Sequence, residues 1–112
     1  MKPTAVLISS SATIAVIHER LRRMGQYIDQ EFFDTLTADD CVLGVDGSGD
    51  VLTEYEVAEI ALFRSRFGDV AALLLEYDSL ACFERFVNRA TRGLEGLVDD
   101  NSGRLREFPM AL

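Results

Sequence analysis

His18 is the only imidazole in the chain, and histidine is the side chain that most readily exchanges a proton near neutral pH. Acid–base work there would need an orienting carboxylate and a nucleophile. The nearby Ser9, Ser10 and Ser11 are better placed to cap a helix, so His18 reads as a structural or surface residue. Asp46, Ser48 and Asp50 occupy the first, third and fifth places of a calcium loop, where alternating oxygens would wrap a hard cation. The remainder of that pattern is absent: Val51 stands at the glycine place, Val57 at the bidentate glutamate place, and Glu56 comes one residue early. A solvated turn is the expectation. Cys41 and Cys82, with one histidine, lack the close ligand pairs of a zinc site. Gly44, Gly47 and Gly49 are not followed by the Lys-Ser or Lys-Thr of a phosphate loop. No cofactor or metal is therefore expected. Asp39 with Asp40 and Asp99 with Asp100 offer adjacent carboxylates, but nothing selects one pair for catalysis.

The distribution of charge is more informative. Residues 24–62 hold ten carboxylates and no Lys or Arg, whereas residues 1–23 are net +3 and residues 63–112 net −1. A cation-free acidic run of this kind makes a field able to steer a basic partner. Asp39, Asp40, Asp46, Asp50, Glu54, Glu56 and Glu59 supply it, and Tyr55, with Tyr27, Phe32 and Phe33, supplies aromatic contact. Direct binding of nucleic acid is disfavoured, because a chain of net charge −8 repels phosphates. Arg85, Arg89 and Arg92 share one helix face, read as a solvated surface or as an anchor for an acidic partner or second copy.

These residues must be carried by one domain, 1–112, with a modest core. Ala5–Ile8 reads as a buried strand, followed by a helix whose Ile14, Ile17, Leu21 and Met24 line one face and which Gly25 closes in a left-handed conformation. Residues 26–40 fit either helix or strand; Phe32, Phe33, Thr35 and Thr37 favour a strand in the second half. Cys41–Val45 and Val51–Leu52 flank a turn-rich segment and form a hairpin candidate. Thr53 and Glu56 have the spacing of a capping box, which starts a helix at about Glu54. Val70–Tyr77, with six apolar residues in succession, is the central strand. Asp78 and Ser79 cap a last helix, its apolar face running through Leu80, Phe83, Val87, Ala90, Leu94 and Leu97, with the regular part fraying or stopping near Arg92 where Gly93 and Gly96 intervene. Arg104–Phe108 is an edge strand stopped by Pro109. The fold class is α+β: a two-layer sandwich, a mixed sheet of four or five strands with two or three helices on one face.

No apolar run reaches the length of a membrane span, and the N-terminus lacks the form of a secretory signal. Two cysteines make no disulfide framework and are expected to be free, as in a cytoplasmic protein. A small acidic α+β chain with no catalytic motif, a strand–helix opening at Ala5–Met24 and a late turn Val98-Asp99-Asp100-Asn101-Ser102-Gly103 resembles the immunity proteins of bacterial toxin systems. That resemblance implies a non-catalytic cytoplasmic protein that binds and neutralises a toxin, often a nucleic-acid-directed enzyme. Two other readings stand beside it. One is a small enzyme using carboxylates or His18; the other is a self-associating module, a homodimer burying Leu105, Phe108, Met110 and Leu112.

Overall fold

The computed structural model describes residues 2–100 and 104–108. Among these residues, seven strands form one sheet: β1 (Thr4–Ser10), β2 (Gln26–Ile28), β3 (Asp34–Ala38), β4 (Cys41–Asp46), β5 (Val70–Tyr77), β6 (Leu97–Asp99) and β7 (Leu105–Glu107). Their order is β2-β3-β4-β5-β1-β6-β7, which places β5 in the middle, as its unbroken apolar run requires. Every pairing is antiparallel. The expected mixed sheet of four or five strands is corrected on both counts. Two strands were hard to foresee because β2 and β6 are three residues long, too short for a period-two pattern to show; the edge strand expected at Arg104–Phe108 is β7.

Among the described residues, three α-helices accompany the sheet: α1 (Ser11–Arg22), α2 (Val57–Phe67) and α3 (Leu80–Ala90). Successive strand residues face opposite ways, and β1 and β5 use both sides. Ala5, Leu7, Leu73 and Leu75 pack with Ile14, Ile17 and Leu21 of α1 and with Phe83, Phe86, Val87 and Ala90 of α3. Val6, Ile8 and Ala72 pack instead with Phe63 of α2 and with Val51. The helices are thus divided between the two faces, where the sequence reading placed them on one.

Several local features carry out the sequence expectations and several replace them. Ser10 and Ser79 cap α1 and α3, accepting from the Thr13 and Cys82 amides. Gly25 does not close α1 in a left-handed conformation; a Cβ there would lie 2.3 Å from the Thr37 carbonyl oxygen, so glycine is needed for close approach to β3. The hairpin is β3–β4, not one across residues 46–50. Its two-residue turn is Asp39-Asp40, both at positive φ (49° and 65°). Val51 and Leu52 lie in a 3-10 turn, Asp50–Glu54, and α2 starts three residues later than expected. Leu97 leaves the helical face for β6, because Gly93 at φ 77° turns the chain away after α3.

Cys41 and Cys82 are joined in a disulfide, Cα atoms 5.5 Å apart, which overturns the expectation of free thiols. They are 41 residues apart in sequence, and meet because the β3–β4 turn lies against the first turn of α3. Disulfides persist in oxidising compartments, so the cysteines no longer support a cytoplasmic location. No helix among the described residues is long and apolar enough to cross a membrane. Met110 and Leu112 of the expected self-associating tail lie outside the described residues. Phe108 is half-buried against the core, its ring filling the space that a Cβ on Gly96 would need.

Candidate functional site

The segment linking β4 to α2 carries most of the expected acidic site. The Asp46 carboxylate accepts from the Ser48 amide at 2.9 Å, and the Ser48 hydroxyl from the Asp50 amide at 3.2 Å. These side chains fold the turn, with Gly49 left-handed at φ 83°. Among the described residues, no three His, Cys, Asp or Glu side chains are grouped to hold a metal ion. Thr53 donates to the Asp50 carbonyl at 2.7 Å, and so serves the 3-10 turn, not the α-helix. Tyr55 is extended between the two. Its hydroxyl donates to Asp99 of β6 at 2.6 Å and its ring meets Phe63 edge-on, centroids 5.5 Å apart. That anchoring interrupts the helical path and moves the capping box to Glu56 and Glu59, whose carboxylate accepts from the Glu56 amide at 3.0 Å.

Two concavities flank the start of α2, and Tyr55 lines both. One is an open apolar groove of about 560 Å³ among Leu52, Thr53, Tyr55, Val57, Ile60, Ala61 and Arg64. The other is a notch of about 210 Å³, lined by Glu54, Glu59 and Asp99 with Tyr55, Val6 and Val51. Burial, the hydrogen bond to Asp99 and the negative charges of Asp99, Glu59 and Glu54 push the Tyr55 hydroxyl pKa far above its ordinary value. Glu54 and Glu59 thus bring two carboxylates to one side of the notch. Between groove and notch runs the outward side of α2, where Val57 is 87% and Leu62 71% exposed, with Ala58 and Ala61 exposed beside them.

Asp50, Glu54, Glu56, Glu59 and Tyr55 are brought together by this 3-10–α2 segment, and Asp46 leads into it. Asp39 and Asp40 are not part of the group: they form the β3–β4 turn, which the disulfide ties to α3 on the opposite face. Among the described residues, no Lys or Arg forms an ion pair with any of these seven carboxylates. The cations pair elsewhere: Lys2 with Asp78, Arg22 with Asp29, Arg23 with Glu19, Arg66 with Glu95 and Glu107, and Arg106 with Asp100.

A second polar constellation escaped the sequence reading. His18 Nε2 lies 3.0 Å from the Tyr27 hydroxyl, which donates to Asp34 at 2.7 Å; Asp34 also accepts from the Gln30 amide at 3.0 Å. The single hydroxyl proton goes to Asp34, so Nε2 of His18 must be the donor in its bond. Burial, then the Arg22 charge, lowers the His18 pKa against the opposing pull of Asp34, Asp29 and Glu19. Burial acts to raise the Asp34 pKa, but the Gln30 and Tyr27 hydrogen bonds and the charges of Arg22 and His18 outweigh it and lower the net value. The ring lies against Gly47, where a Cβ would come within 2.6 Å of Cε1. This chain of bonds braces α1 against β2, β3 and the start of the acidic turn. Only the β2–β3 register, which sets Tyr27 opposite Leu36, puts the three side chains within reach, and no local spacing announces it.

On α3, Arg85 donates to the Cys41 sulfur at 3.6 Å and Arg89 lines an open groove with Ala81, Glu84, Arg85 and Asn88. Arg20 of α1 donates to the carbonyls of Ala90 and Arg92 at the end of that helix. Comparison of the chain with protein-family models, with curated proteins and with solved structures finds no match in any of the three.

Proposed function

We propose that this chain is a non-catalytic binding protein that neutralises a basic partner protein, in the manner of an immunity protein acting on a nucleic-acid-directed toxin. The carrying observation is that Asp50, Glu54, Glu56 and Glu59 stand together on one 3-10–α2 segment with no cation among the described residues paired to them. Carboxylates left in this condition repel one another, and a cationic surface relieves that repulsion while hastening encounter. Asp46 extends the field, and Asp39 and Asp40 add to it from a separate edge.

The test is capture of a partner on the immobilised chain at low ionic strength, followed by measurement of its association rate. That rate should fall steeply between low and physiological salt. It should fall again with Asp50→Lys and Glu54→Lys. A salt-independent rate, or equal retention by the charge-reversed chain, contradicts the reading.

A further inference from the structure

We infer that the outward side of α2 receives an amphipathic segment of the partner, with aliphatic side chains adjacent to lysine or arginine. The inference rests on the binding reading above and adds the contact surface and the chemistry of what covers it. Helix α2 turns Ile60, Phe63 and Phe67 towards the sheet, and the opposite side, in a surface helix the polar one, here presents Val57, Ala58, Ala61 and Leu62. Contiguous apolar residues left in water on a small domain mark a contact surface.

Charge decides what covers it. The groove on one flank, walled by Leu52, Tyr55 and Ile60, accepts an aliphatic side chain. The notch on the other flank, with Glu54 and Glu59, accepts an ammonium or guanidinium group. Arg64 lies at the groove and Arg66 is held by Glu95 and Glu107, so only the N-terminal half of the helix favours cations. An acidic segment or an anionic lipid surface would be repelled at the notch. The occupant therefore reads as a basic amphipathic helix or strand, its aliphatic and cationic groups spaced to reach across Tyr55.

A short synthetic peptide of leucine and lysine, patterned to form one apolar and one cationic face, is the probe. A scrambled peptide of the same composition is the control. Methyl NMR of the intact chain should show shifts at Val57, Ile60 and Leu62 with the patterned peptide and much weaker ones with the scrambled peptide. The double variant Val57→Ser, Leu62→Ser should raise Kd about tenfold or more with its melting temperature unchanged. Glu54→Gln with Glu59→Gln, which keeps the capping geometry, should weaken binding and flatten its salt dependence. The inference is overturned by shifts centred on the Asp39–Asp40 turn, by equal binding of the scrambled peptide, by indifference to the serine variants, or by no binding. A dimer of the free chain that the serine variants dissolve would make the occupant a second copy and also overturn it. The binding reading survives these failures as long as a captured partner retains its salt-dependent association.

Discussion

Helices α2 and α3 have eleven residues each and pack on opposite faces of the same sheet, yet they use their apolar side chains in opposite ways. Helix α3 buries Phe83, Phe86, Val87 and Ala90, is capped by Ser79, is tied to β4 by the disulfide and has its last carbonyls held by Arg20. Helix α2 buries only Phe63 fully and leaves Val57 and Leu62 in solvent. Burial is the dominant favourable contribution to folding, so the face carrying α1 and α3 holds the domain together. The face carrying the 3-10 turn and α2 is thinner, and its unspent apolar surface is available to something else.

The largest effects that sharpen this contrast are in the core. Phe83 is fully buried and stacks on Tyr77 with ring centroids 4.5 Å apart; Phe83→Ala should cost about 3–5 kcal/mol in denaturant unfolding. Phe63→Ala should cost less, because the groove beside it lets neighbours relax into the space. The reverse order would break the comparison. Opening the disulfide, by reduction or by Cys41→Ser with Cys82→Ser, should remove about 2–4 kcal/mol by restoring freedom to the unfolded chain.

The next effect depends on pH. Burial holds folded His18 below its ordinary pKa of 6.5, so on acidification the unfolded chain binds that proton first. The stability contributed by neutral His18 is complete above pH 6.5, declines as pH falls from there, and levels off below the folded pKa. Asp34, with its pKa below the ordinary 3.8, contributes stability above that value and loses it as pH falls through its folded pKa. A pH series of unfolding should show both declines in wild type, and His18→Gln should abolish the upper one. Smaller again is the Asp39-Asp40 turn, where both residues hold positive φ. Asp40→Gly should raise stability by roughly 1 kcal/mol, since glycine adopts that conformation without the side-chain penalty. Val57→Ser and Leu62→Ser should each change stability by less than about 0.5 kcal/mol, as exposed positions do.

The long, strongly patterned elements were legible from sequence. Ile14, Ile17 and Leu21 announced α1, the Val70–Leu75 run announced the central strand, and Ser79 announced the start of α3. What could not be read depended on distant partners. Thr53 and Glu56 have capping spacing, but Tyr55 is drawn to Asp99, forty-four residues away, and the box moves to Glu56 and Glu59. Cys41 and Cys82 meet only through tertiary packing, and Leu97 keeps helical phase although Gly93 has already ended the helix. The acidic site was legible as composition and only partly as geometry. Asp50, Glu54, Glu56 and Glu59 remain together because one short segment carries them. Asp39 and Asp40 separate because the hairpin turns at them. Spacing puts Val57, Ile60, Ala61 and Phe67 on one apolar face of α2, but only Ile60 and Phe67 pack towards the sheet, while Val57 and Ala61 stand in solvent.

Amide hydrogen exchange on the intact chain, with and without the leucine–lysine peptide, tests the division of labour most directly. The account predicts that in the free protein the α2 amides exchange well ahead of those of α3. It further predicts that the peptide slows exchange in α2 and leaves α3 unchanged. Equal protection of the two helices, with no response of α2 to the peptide, would contradict it.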